Sequence, residues 1–398
     1  MEPASLHRSP NALAPHYSRF GVSERLLLTG HSHQAWPDRG FEAQSEAWLD
    51  AARYVDDKWD HAFERAERVR EGFTRLLGDA GDGIALAPNT HELVVRLLSA
   101  LPLRARPRLV TTDGEFHTVR RQLDRLAEEG LEVVRVAEQP VETVSERLAG
   151  AVNDRTAIVI ASAVFFDTGR IARGLYQVAA SCRSHGAALL VDVYHALNVV
   201  PVSLDDEGLG DAFVVGGGYK YCQLGEGNCF LRLPPGTTLR PVVTGWYSEF
   251  TALAERRESG RTAYGRGGDR FAGATYDPTS HYRASAVFEF FREQGLAPAL
   301  LRQVSQHQIA VLASAFDALD LDPSAVTRDR SVALGEIGGF LALHSPQAAA
   351  LARELHGRGV MIDTRGDVLR FGPAPYLSDA QLHDAIGILG EIVRGRPR

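Results

Sequence analysis

The sequence predicts an α/β protein in which a large domain with a mainly parallel, doubly wound sheet is followed by a smaller C-terminal α+β domain. Three observations carry this. Between residues 84 and 233, short β-rich runs alternate with helical patterns. Several of those runs, such as Thr156-Ala-Ile-Val-Ile-Ala and Ala187-Ala-Leu-Leu-Val-Asp-Val, have no polar alternation, so helices must cover both faces of the sheet. A second mixed pattern begins near His281 and runs to the last residues. At about 150 residues per domain, the 398 residues suffice for two or three domains with substantial cores.

In chain order, the amphipathic, charge-rich stretch 41–77 predicts one or two helices. Strands are expected at 84–86, 108–112, 131–136, 157–161, 188–193, 212–215 and 229–233, with helical periodicity between them, for example at 119–129 and 172–185. Residues 234–278 are loop-rich and dense in Gly, Arg and aromatics. The tail then reads as a helix over 281–319, a strand near 340–344, a helix at 347–358, two strands around the turn Arg365-Gly-Asp, and a final helix from Ser378. The expected division is 1–70 as an N-terminal segment associated with the small domain, 71–280 as the large domain, and 281–398 as the small domain.

Acidic residues outnumber basic ones, 50 to 43, for a net charge of −7, and no basic stripe tracks along the chain. That argues against a nucleic-acid partner. No run approaches 18 apolar residues, so no membrane span is expected, and the start Met1-Glu-Pro-Ala-Ser-Leu-His-Arg has no apolar signal region. The reading is a cytoplasmic protein. Cys182, Cys222 and Cys229 are odd in number and lack metal-ligand spacing, so neither a disulfide framework nor a metal site is expected.

The chemistry gathers at strand ends. No Gly-x-Gly-x-x-Gly follows an early strand, and the run Gly216-Gly-Gly-Tyr-Lys-Tyr lacks Walker spacing, so nucleotide binding is not supported. Of the 43 basic residues only Lys58 and Lys220 are lysines. Lys220 lies just past an apolar strand, where open α/β sheets place ligands. A lysine there either forms a Schiff base, if burial lowers its pKa, or is an ordinary surface residue. Asp192 ends the preceding strand and His195 follows it. A carboxylate in that crevice would keep a pyridine nitrogen protonated, as pyridoxal phosphate requires, although Asp after a strand also serves as a turn cap. In Ala87-Pro-Asn-Thr-His-Glu, a capping residue opens a helix whose amides would attract a phosphate, as they also would in an ordinary helix start.

These residues resemble those of the kynureninases, within the class V, fold-type I group of pyridoxal-phosphate enzymes. The resemblance runs from about Thr29 to the last helix and rests on Val191-Asp-Val-Tyr-His, Gly218-Tyr-Lys-Tyr-Cys-Gln-Leu-Gly-Glu-Gly, Thr244-Gly-Trp, Arg270-Phe with its loop, and Val368-Leu-Arg-Phe-Gly-Pro-Ala-Pro. It implies that Lys220 holds the cofactor and later moves protons, that Asp192 pairs with the pyridine nitrogen, and that His195 lies near the phosphate. Asn89 and Thr90 match the phosphate-binding helix start, with Tyr219 and Trp246 as further donors. Tyr219 is also the candidate for proton delivery to the acyl carbonyl.

Thr275 matches a loop that in the family reaches the neighbouring subunit's phosphate, which implies a homodimer with shared sites. Phe116 falls where the family stacks an aromatic ring on the cofactor, or His117 with a one-residue shift. Phe116 and Trp246 also read as core aromatics. Arg370 matches the arginine that clamps the substrate α-carboxylate, a task suited to a bidentate guanidinium.

The turn Leu28-Thr-Gly-His-Ser-His-Gln carries histidines where the family has small and apolar residues. Because that turn lies near the substrate in the family, the resemblance implies His31 and Ser32 as substrate-side residues. Phe165 and Asp167 replace residues that are often polar or basic, and Pro375-Tyr-Leu inverts a family order. The departures cluster on the substrate side. The activity implied is hydrolysis of the Cβ–Cγ bond of L-kynurenine or a related β-acyl amino acid to L-alanine and an anthranilate-type acid, a step of tryptophan catabolism. The alternative is another class V activity, an aminotransferase, lyase or epimerase, on a different amino acid.

Overall fold

The structure, a computed structural model, describes residues 1–253 and 260–395. The 41–77 stretch forms two helices, α1 (Asp38–Tyr54) and α2 (Lys58–Leu76), separated where Val55 takes φ +54. All seven expected strands then appear in one sheet: β1 (Ile84–Ala87), β2 (Arg108–Thr112), β3 (Glu132–Val136), β4 (Thr156–Ser162), β5 (Ala188–Asp192), β6 (Phe213–Gly217) and β7 (Cys229–Arg232). Between them run α3 (Thr90–Ala100), α4 (His117–Glu128), α5 (Val144–Gly150) and α6 (Leu175–His185). The last begins three residues later than its periodicity suggests. Ala172 is still paired to Ala163 by a backbone hydrogen bond, and Gly174, at φ +78, is the turn into the helix.

The strand order is β1-β7-β6-β5-β4-β2-β3. All neighbours are parallel except those of β7, which runs antiparallel to both β1 and β6. Every residue of β4 is buried, as its unbroken apolar run requires. Ile158 and Ile160 point into a core with Leu93, Leu97, Val119 and Leu123 of α3 and α4. Val159 and Ala161 point the other way, toward Val178 of α6. Helices on both faces thus leave the strand ends as the accessible parts of the sheet.

The expected single helix over 281–319 is two helices, α7 (Thr279–Gln294) and α8 (Pro298–Ala318). Gly295 at φ +68 closes the first and Pro298 opens the second, because proline has no N–H to lose at that position. Then come β8 (Leu341–His344), α9 (Ala348–Gly357), β9 (Asp363–Arg365), β10 (Val368–Phe371) and α10 (Asp379–Arg394), the last opened by a Ser378–Gln381 capping box. The three strands form an antiparallel sheet ordered β9-β10-β8.

The N-terminal segment joins this unit: Leu26–Leu27 pair in parallel with Val360–Met361, and Thr29 bridges to Gly372. Helices α1 and α2 pack on α7. No helix among the described residues is long and apolar enough to cross a membrane.

Candidate active site

The carboxyl edge of the parallel strands collects the polar residues. Ser162 ends β4 and Asp192 ends β5, opposite each other in register, while Lys220 follows β6 by three residues. A cavity of about 260 Å³ opens there. Seven residues singled out from sequence line it: Asn89, Thr90, Phe116, Asp192, His195, Tyr219 and Lys220. The glycines before the lysine serve packing. A Cβ on Gly217 would stand 2.4 Å from the Tyr194 hydroxyl, and one on Gly218 2.4 Å from Leu224.

Lys220 is 5% exposed. Burial pulls its amine down to about 7, against the opposing pull of the Asp192 charge. Its Nζ lies 2.6 Å from Nε2 of His195, 4.7 Å from the Tyr194 ring centre and 5.5 Å from that of Phe116. Burial holds His195 well below its ordinary value, so the ring is neutral beside the amine. The contact places His195 against the lysine, in the same cavity that Asn89 and Thr90 line. Asp192 is raised by burial, and its Oδ1 accepts from the Tyr194 amide at 2.8 Å.

The donor set fits pyridoxal phosphate. A buried lysine with an amine near neutrality suits Schiff-base formation, and the half-buried carboxylate of Asp192 suits a protonated ring nitrogen. Nδ1 of His195 is buried without a hydrogen-bond partner among the described residues, a donor or acceptor left for a ligand. At the rim, Asn89 caps α3 by accepting from the Glu92 amide at 2.9 Å, and Pro88, Asn89, Thr90 and His91 bring the positive end of the helix to the cavity.

Sequence reasoning missed three residues here. Tyr194 and Ser162 both line the cavity. Behind Ser162, the buried Glu115 carboxylate accepts from Thr112 Oγ1 at 2.7 Å, from the Ser162 amide at 3.1 Å and from Ser162 Oγ at 2.6 Å. Burial nonetheless raises Glu115 to about 7, outweighing those donors. Its neighbour Phe116 was legible only through the family resemblance, whereas a buried Glu becomes visible only once β2 and β4 are side by side.

The remaining candidates lie apart from this cavity. Trp246 is 45% exposed and its Nε1 donates to Thr275 Oγ1 at 3.1 Å, so the single chain brings these two to each other and not to Lys220. Thr275 instead borders a larger cavity of about 920 Å³, which shares Pro88, Glu226 and Gly227 with the first. Arg370 and His31 are both buried; Arg370 Nη1 donates to the carbonyl of the wall residue Phe166 at 2.6 Å, and His31 packs on Phe340 with ring centres 4.8 Å apart. Ser32 Oγ faces Nδ1 of His33 at 3.2 Å, and the His33 ring stacks on Tyr219 with centres 4.8 Å apart.

Residues 303–389 match the kynureninase C-terminal domain. A kynureninase of Xanthomonas euvesicatoria pv. vesicatoria (strain 85-10) is 28% identical over 338 residues, covering 79% of this chain and 78% of the relative. An uncharacterized aminotransferase of Bacillus subtilis (strain 168) is 23% identical over 345 residues, covering 85% and 87%. Among solved structures, a C-DES mutant with glycine covalently linked to its PLP cofactor superposes with a TM-score of 0.82 at 16% identity, over 95% of this chain and 98% of that one. The apo cysteine desulfurase of Thermococcus onnurineus NA1 gives 0.77 at 17%, over 94% and 96%. The fold is therefore that of the fold-type I pyridoxal-phosphate enzymes.

Proposed function

From a chain that belongs to the kynureninase family, within the class V pyridoxal-phosphate enzymes, we propose a hydrolase that cleaves the Cβ–Cγ bond of L-kynurenine or a related β-acyl amino acid. The products are L-alanine and an anthranilate-type acid. The observation that carries this reading is that the segment matching the kynureninase C-terminal domain supplies Arg370, which lies one residue behind the Phe166 wall of the Lys220 cavity.

Pyridoxal phosphate, when bound, supplies the electron sink that stabilises negative charge at the substrate α carbon. Lys220 is the base at that carbon, since an amine near 7 accepts a proton at neutral pH. Asp192 would hold the cofactor's ring nitrogen. The neutral His195 places no second charge beside the amine and fixes Nζ by a hydrogen bond. Tyr219, which lines the cavity and whose hydroxyl burial keeps protonated, is the proton donor in this reading. Phe116 and Phe166 meet edge to face at 5.3 Å and 88°, and His117 packs on Phe166 at 5.4 Å, a wall suited to an aryl group.

Arg370 is the ligand for the α-carboxylate, with His31 and Ser32 on the same side. The exposed Val242, Val243, Trp246 and Phe250, together with Thr275, form the face of a homodimer in which each subunit completes the other's site. In this reading the enzyme acts in the cytoplasm, in tryptophan catabolism. Anthranilate fluorescence from L-kynurenine or 3-hydroxykynurenine tests the substrate. A protein that binds the cofactor yet releases no fluorescent acid from either would overturn it. The aminotransferase relative favours a second reading, transamination, which turnover that depends on added 2-oxoglutarate or pyruvate would establish.

A further inference from the structure

Asp363 and Arg370 face each other across the β9–β10 hairpin. Its two-residue connection, with Gly366 at φ +56, sets Arg365 against Val368 and therefore Asp363 against Arg370 on one face. Nε of Arg370 donates to Asp363 Oδ1 at 2.8 Å, Nη2 donates to Oδ2, and Nη1 donates to the Phe166 carbonyl at 2.6 Å. A guanidinium carries five N–H groups. One on Nη1 and one on Nη2 are left, enough for a two-point contact with another carboxylate.

Asp363 is itself held from several sides. His31 Nε2 lies 2.7 Å from its Oδ1, and Arg365 Nη1 lies 3.7 Å from its Oδ2. The backbone delivers His31: Gly30 donates to the Gly372 carbonyl and the Gly372 amide to that of Leu28, each at 2.8 Å. The approach is so close that a Cβ on Gly372 would stand 2.1 Å from His31 Nδ1. Burial brings His31 down to about 4, so at neutral pH it is an uncharged donor to Asp363 and not a rival cation.

We propose that Asp363 is a positioning residue for the α-carboxylate of an amino-acid substrate, pinning Arg370 through Nε and Nη2 and aiming its two remaining N–H groups at that carboxylate. Arg365 shares the Asp363 charge, so Arg370 keeps its attraction for a second anion. The proposal rests on the reading of Arg370 as the carboxylate ligand and is independent of kynurenine as substrate.

The test is a spectral titration of cofactor-loaded protein with L-alanine and with ethylamine, which offers an amine without a carboxylate. Asp363→Ala should weaken L-alanine by roughly 10- to 100-fold, the scale of a misplaced contact, and leave ethylamine within about twofold. Asp363→Asn, which keeps one acceptor and serves if the alanine variant fails to fold, should weaken L-alanine less. An Asp363 variant that binds L-alanine as tightly as the wild type, or more tightly, overturns the proposal, as does parallel weakening of both ligands. Arg370→Lys separates the two claims. If it leaves L-alanine binding intact, the carboxylate reading fails, and if it alone weakens L-alanine, only the role of Asp363 fails.

Discussion

Lys220 Nζ and His195 Nε2 stand 2.6 Å apart at the edge of a buried cavity, and only one of the two can hold an extra proton at a time. Burial lowers both, Lys220 to about 7 and His195 well below its ordinary value. Below about pH 7 the lysine is an ammonium and cannot attack an aldehyde, and above it the free amine dominates. Capture of pyridoxal phosphate by the apoprotein should therefore rise about tenfold per pH unit up to 7 and then level off. Stopped-flow absorbance measures it. A rate still climbing steeply between pH 8 and 9.5 is the behaviour of an ordinary lysine near 10.5 and would refute the lowered value.

Glu115 gives the opposite sign of pH dependence, in stability. Its folded pKa of about 7 lies above the ordinary 4.5, so the folded chain binds the extra proton in that window. The stability this group lends is complete below pH 4.5 and is lost as pH rises through 7, at up to 1.36 kcal/mol per unit or about 3 kcal/mol in all. Glu115→Gln, neutral at every pH, should flatten the fall in urea midpoint between pH 5 and 8. An unchanged slope would place the titrating group elsewhere.

Val242, Val243, Trp246 and Phe250 are exposed, the Trp246 and Phe250 rings meet at 5.4 Å, and Trp246 is tied to Thr275. If this face joins two copies, Trp246→Glu should leave the fold intact and convert a dimer to a monomer in sedimentation velocity. Turnover should fall with the dimer fraction and recover at higher protein concentration. A wild-type protein that sediments as a monomer with full activity removes the shared-site reading.

How far the sequence carries depends on what each feature needs. The seven strands were legible because each is an apolar run between turn residues, but such a run has no direction, and the antiparallel course of β7 was not. The break between α7 and α8 was written in Gly295 and Pro298 and passed over because the apolar periodicity continues across it. Lys220, Asp192 and Asn89 could be read because strand ends and helix starts announce themselves locally. The approach of His195 to Lys220, the burial of Glu115 under Ser162 and the Asp363–Arg370 pair depend on register between segments. Only the last had a usable sequence signal: the two-residue turn at Gly366 fixes which residue opposes Arg370.

Asn89 tests whether the start of α3 holds the phosphate. Its side chain takes the Glu92 amide at 2.9 Å, so Asn89→Ala frees that donor and frays the first turn, a loss of about 1 kcal/mol. Amides that no longer point together bind an anion less well, so affinity for pyridoxal phosphate should drop by about fivefold. Pyridoxal, which has the aldehyde and ring but no phosphate, should bind the apoprotein almost as before. Absorbance titrations with the two ligands separate the cases: equal weakening of both means the substitution acts through the fold, and no weakening of either moves the phosphate away from this helix.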